Sequence, residues 1–183
     1  MDNGSIFYPM SRLNSKFQGE LKVPDDYQKF LDKFDQVAYI AFGTTFMPKY
    51  ETMANIIEAI KLADPETTGF IVALKEKELS YQKLKELDLP NVFLSSWAPQ
   101  KALLSSEKVK MFMSHGGGNS LMESLYFGTP IMGFGQIGDQ FGMIKRLKTL
   151  GVAKFGEPEK SPEDLFADIS EMLYETEEST LMR

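Results

Sequence analysis

The stretch Ser114-His115-Gly116-Gly117-Gly118-Asn119-Ser120-Leu121-Met122-Glu123 gathers much of the chain's polar chemistry where an apolar run gives way to helical spacing. Three consecutive glycines let a ligand approach the backbone closely. A helix starting there presents free N–H groups and a positive dipole end, which suit an anion such as a diphosphate without any lysine. Asn119 and Ser120 add side-chain donors. Glu123, four residues after Asn119 on the same helical face, has the two acceptors that a ribose diol needs. More ordinary alternatives exist for each: Ser120-x-x-Glu123 is formally a capping box, and His115, the sole histidine, can be a hydrogen-bonded residue at a strand end. The functional alternative is favoured because turn, helix start, His, Asn and Glu coincide within ten residues.

Three further groups lie at similar junctions. Trp97, the single tryptophan, stands in Ser96-Trp97-Ala98-Pro99-Gln100, where a flat indole can stack on a base and Gln100 can read the edge of a uracil. The competing role for Trp97 is a core anchor. Thr44 and Thr45 follow Gly43 on a tight turn, and Asp139 and Gln140 open a helix after Gly138. A carboxylate beside an amide offers acceptors to several sugar hydroxyls and a donor to one oxygen, although Asp at a helix start is more often a cap. Gly133-Phe134-Gly135-Gln136-Ile137-Gly138 matches the G-x-G-x-x-G dinucleotide fingerprint, with Glu157 near the expected ribose-binding distance. That fingerprint normally opens the first strand-helix unit of a sheet, whereas only one further strand and its helix are expected here.

Positioning these groups requires regular alternation. After a mixed segment over residues 1–24 and helical spacing over 25–34, strands are expected at 37–42, 69–74, 91–95, 109–113, 131–134 and 152–155. Between and after them fall helices at 48–63, 80–87, 99–104 (with Pro99 in its first turn), 119–127, 139–150 and 162–174. Gly128 and Gly151 stand where helix C-terminal caps belong. Six strands alternating with helices predict an α/β fold: one doubly wound, mostly parallel sheet with helices on both faces and its ligand beyond the carboxyl ends of the strands.

Composition narrows the chemistry. The 183 residues contain no cysteine, which excludes thiol nucleophiles, redox pairs and structural zinc sites built on thiolates. The net charge of −6 is local, with −7 in residues 157–183 and +1 in residues 1–156. A near-neutral body and an acidic tail argue against nucleic acid as a partner. No run of 18 apolar residues marks a membrane span, and Met-Asp-Asn-Gly-Ser lacks the features of a signal peptide, so the chain as given is expected to stay in water. The eleven methionines are expected to fill the core.

Together, Trp97-x-Pro99-Gln100-x-x-Leu103-Leu104, Phe112-Met113-Ser114-His115-Gly116-Gly117-x-Asn119-Ser120-x-x-Glu123, Gly128-x-Pro130 and Asp139-Gln140 resemble, in order and spacing, the donor-binding signature of the UDP-glycosyltransferases. The resemblance implies a Rossmann-like domain at residues 37–183, the C-terminal half of a GT-B fold, preceded by an interdomain lead-in and first helix over 1–36. It implies that Trp97 stacks on uracil, Gln100 helps hold the nucleoside and Glu123 takes the ribose hydroxyls. His115, Gly117, Asn119 and Ser120 would hold the diphosphate with Thr44 or Thr45 closing over it, and Asp139 and Gln140 would bind the donor sugar.

By the same resemblance, the base that activates the acceptor is a histidine of an N-terminal domain. This chain is therefore expected to bind a UDP-sugar without transferring the sugar alone, working with that domain or with a separate subunit. Inverting transfer is implied, with no cofactor and no metal, and no D-x-D motif is present. Two departures, Gly135 in place of the usual Pro and Phe141-Gly142-Met143 after the Asp-Gln pair, bear on the sugar end. The alternatives are a nucleotide-sugar epimerase half-domain, an NAD-binding domain built on the Gly133 run, and a non-catalytic UDP-binding module. Donor sugar, acceptor and compartment stay open, since members of such a family occur both in the cytosol and on the lumenal side of membranes.

Overall fold

The computed structural model describes residues 21–43 and 48–174. Helix α1 (Asp25–Leu31) leads into β1 (Gln36–Ala41), followed by α2 (Tyr50–Lys61), β2 (Thr68–Ala73), α3 (Leu79–Leu87), β3 (Val92–Ser95) and the short α4 (Gln100–Leu104). The second half runs β4 (Val109–Ser114), α5 (Gly118–Phe127), β5 (Ile131–Gly133), α6 (Gln140–Thr149), β6 (Ala153–Phe155) and α7 (Pro162–Leu173). The strands form one sheet in the order β3-β2-β1-β4-β5-β6, every pairing parallel. The chain thus winds outward from β1 in one direction, returns, and winds outward from β4 in the other. The seam between β1 and β4 is where strand order reverses, and where a doubly wound sheet opens a crevice for ligand.

Burial on both faces explains why these strands are runs of apolar residues rather than alternating ones. All six residues of β1 are buried. Its successive side chains point to opposite faces. Ala38 and Ile40 join Met53, Ile56, Ile57 and Ile60 of α2 and Leu165, Ile169 and Met172 of α7 on one face. Val37, Tyr39 and Ala41 join Tyr27, Phe30 and Leu31 of α1 and Leu103 and Leu104 of α4 on the other. Helix α1 therefore packs into the same core as the sheet. Leu121, Ile131, Leu147 and Ala153 continue that layer beneath α5 and α6.

Helix ends follow local chemistry, with small departures from expectation. Gly128 ends α5 at φ 71°, and Gly151 follows α6 at φ 75°, both in the left-handed region that glycine enters without a Cβ penalty. Ser161 caps α7 by accepting the Asp164 N–H at 3.1 Å, with Pro162 at the first helical position. Pro99 precedes α4 instead of lying in its first turn, so Gln100 is the first helical residue. Helix α5 starts at Gly118 with Gly117 as its N-cap and no side-chain cap. Ser120 and Glu123 are thus inside the helix, and the capping-box alternative does not hold. Among the described residues no helix is long and apolar enough to cross a membrane.

Candidate functional site

The carboxyl ends of β1, β3, β4 and β5 gather the polar residues. After β4 the chain turns through Ser114, which is fully buried and whose Oγ accepts the Gly116 N–H at 3.3 Å. Gly116 has φ +82°, and a Cβ there would stand 2.6 Å from Ile144 Cδ1 of α6. At Gly117 a Cβ would meet His115 Nε2 at 2.4 Å, whereas at Gly118 it would meet nothing within 4 Å. The first two glycines are therefore needed by the protein's own packing. The third leaves open space over the helix end. The Leu121 N–H donates to the Gly117 carbonyl at 3.0 Å, so the N–H groups of Gly118, Asn119 and Ser120 precede the first bond of that ladder. Gly118 and Asn119 are exposed and Ser120 half-buried, so this amide-rich end faces outward at the strand-order reversal.

His115 sits between the ends of the two central strands. A Cβ on Gly43, just past β1, would lie 2.7 Å from its Cε1, so glycines on both sides make the slot that the ring fills. Its Nδ1 is buried and has no hydrogen-bond partner among the described residues. Burial also pushes the imidazole pKa below its ordinary value, so the ring is neutral at pH 7. The alternative of a hydrogen-bonded structural histidine is not what the described residues show.

The nucleoside candidates come together through one amide. Gln100 Nε2 donates to Glu123 Oε2 at 2.7 Å and to Ser120 Oγ at 3.3 Å, while its Oε1 accepts from the Tyr39 hydroxyl at 3.5 Å. The turn after β3 and helix α5 are joined by this link, with the buried Tyr39 of β1 beneath them. Trp97 is 71% exposed, so it is not a core anchor. Its side chain is displayed at the rim while its carbonyl accepts from Tyr27 Oη at 2.7 Å and from the Ser95 hydroxyl. Gln100 differs from the simplest expectation in that its side chain is engaged within the protein.

The far end differs in the same way. Gln140 is buried, and its Oε1 accepts the N–H groups of Gln136 at 2.9 Å and Ile137 at 3.2 Å. Its oxygen shapes the preceding loop, leaving Nε2 as the group to offer outward. Asp139 is exposed at the N-cap of α6, and its carboxylate caps no backbone amide of that helix. Thr44 and Thr45 lie outside the described residues. The Gly133 run follows β5 rather than a central strand, with only β6 beyond it. Tyr39, Tyr27 and Ile144 had no signal in the sequence, where each looks like part of an apolar pattern.

The model of the family described as UDP-glucoronosyl and UDP-glucosyl transferase matches residues 8–179. UDP-glycosyltransferase UGT4 of Dactylopius coccus is 29% identical over 160 residues, covering 85% of this chain and 30% of that protein. The human 2-hydroxyacylsphingosine 1-beta-galactosyltransferase is 32% identical over 135 residues, covering 71% of this chain and 23% of that one. A crystal structure of UDP-glucose: anthocyanidin 3-O-glucosyltransferase in complex with UDP superposes with a TM-score of 0.75 at 25% identity, covering 88% of this chain and 36% of that one. The chain thus spans less than a third of the length of these two sequence relatives.

Proposed function

The chain belongs to the UDP-glucoronosyl and UDP-glucosyl transferase family, and from that premise we propose that it holds the UDP-sugar donor of an inverting hexosyl transfer whose acceptor site and base come from outside it. The observation that carries this reading is the Gln100 link, which sets the Trp97 turn against Glu123 beside an amide-rich helix end. The spacing suits a nucleoside diphosphate: base on the exposed indole, ribose diol on Glu123, diphosphate on the amides of Gly118 to Ser120 and on His115. Asp139 and the Nε2 of Gln140 face the sugar. A neutral imidazole beside the phosphates donates a hydrogen bond without acting as the acceptor's base, and it is the chain's sole histidine.

The chemical contribution of such a site is to the leaving group. As the bond from the anomeric carbon to the phosphate oxygen breaks, negative charge grows on UDP. N–H groups already aimed at it bind the transition state more tightly than the ground state. We assign the stabilisation of that growing charge to the dipoles of the amides and to the N–H of the neutral His115 ring, with no metal required.

Calorimetric titration with UDP, UDP-glucose, UDP-glucuronate and UDP-N-acetylglucosamine, with EDTA present, tests the reading. UDP should bind, and Trp97→Ala or Glu123→Ala should weaken it about tenfold, as expected for losing a stacked ring or a charged hydrogen-bond acceptor. Tight binding of NAD with none of UDP would overturn it and restore the Gly133 run as a cofactor site.

A further inference from the structure

We propose that Tyr27, on the helix that precedes the sheet, is a positioning residue for the base-stacking surface at Trp97. This rests on the nucleoside reading above. An indole that is 71% exposed has little packing to set its direction, so the direction must come from its backbone. That backbone is pinned at the carbonyl, which accepts from Tyr27 Oη at 2.7 Å and from the Ser95 hydroxyl. The two donors are not equivalent. Ser95 is two residues away at the end of β3 and also accepts the Trp97 N–H at 3.3 Å, so its bonds fold the turn on itself. Tyr27 lies seventy residues away on α1 and ties the turn to the core. Its ring is fixed there: it is 5% exposed, its centroid is 4.5 Å from that of Phe93 in β3, and Phe93 is held in turn by Phe30 at 5.5 Å. Burial raises the phenol pKa, which keeps the hydroxyl a neutral donor. The segment before the first strand is thereby part of the donor site.

Trp97 is the chain's only tryptophan, so its fluorescence reports this turn alone. In the full 183-residue chain, Tyr27→Phe keeps the packed ring and removes the anchor. The expected result is lower Trp97 anisotropy and a UDP Kd raised about fivefold, the scale of one lost neutral hydrogen bond. In a Trp97→Ala background, Tyr27→Phe should change the UDP Kd no further. A general structural role would weaken UDP equally in both backgrounds, and that outcome overturns the proposal, as does wild-type affinity and anisotropy in Tyr27→Phe. If Trp97→Ala itself left UDP binding unchanged, the nucleoside reading would fall and this inference with it. Weakening by Trp97→Ala with none by Tyr27→Phe would remove the inference only.

Discussion

His115 is wedged between Gly43 and Gly117 with a buried Nδ1 that has no partner among the described residues, and its protonation state has a measurable consequence. Its folded pKa is lowered by burial. Above the ordinary histidine value of about 6.5 the ring is neutral in both folded and unfolded chains. Below it the unfolded chain takes up a proton that the folded one resists, so stability is lost as pH falls through the lowered value. Histidine is the one side chain whose ordinary value lies between about pH 5 and 8, and the chain has a single one, so the interval from about pH 7 to 5.5 is governed by this residue. Urea midpoints should fall across that interval in the wild-type chain and stay nearly flat in His115→Gln. A flat wild-type profile would show that the ring is not held neutral. At this scale the sequence made residue types and neighbours legible but not their commitments. Gln100 looked free to read a base, yet its amide bridges Glu123, Ser120 and Tyr39. Gln140 looked free to bind a sugar, yet its oxygen serves two loop amides. Such commitments depend on residues brought close by the fold.

Ile144 of helix α6 stands against both β5 and the loop after β4. A Cβ would come within 2.6 Å of it at Gly116 and at Gly133, and within 3.3 Å at Gly135. Two of the three glycines that imitate a dinucleotide fingerprint, Gly133 and Gly135, therefore serve packing: they admit the helix that carries Asp139 and Gln140 to the crevice. Gly133→Ala should cost about 1–3 kcal/mol, as overpacking does. Ile144→Ala alone should cost about 2–5 kcal/mol through the cavity it leaves. Because the added methyl occupies space that the shortened side chain vacates, the double variant should be more stable than the sum of the two costs by roughly 1 kcal/mol or more. Urea denaturation of the four proteins measures this; a neutral Gly133→Ala would dismiss the steric account. The alternation of strands and helices could be read from apolar spacing because burial on both faces writes continuous runs into the strands. The start of α5 could not be read from Ser120-x-x-Glu123, because glycine dihedrals and the packing of His115 set its N-cap three residues earlier, at Gly117.

Strand order ties these parts into one unit. The alternation forecast a parallel, doubly wound sheet, but only the pairing of β1 with both β2 and β4 fixes where order reverses. The proposed ligand spans that seam. Trp97 extends from the β1–β3 half, whereas Glu123 and Asp139 follow β4 and β5 in the other half. A molecule touching both halves binds the folded chain and has no comparable site on the unfolded one, so it stabilises by mass action. At a UDP concentration one hundred times Kd the gain is about 2.7 kcal/mol. For a chain of this size that corresponds to a rise in Tm of about 5–10 °C, by scanning calorimetry in EDTA. At the same UDP concentration Trp97→Ala and Glu123→Ala, whose substitutions lie on opposite sides of the seam, should each show a smaller rise than the wild-type chain. If only one variant lost part of the shift, UDP would be held by one half of the sheet, and the bridging role assigned to the Gln100 link would be wrong.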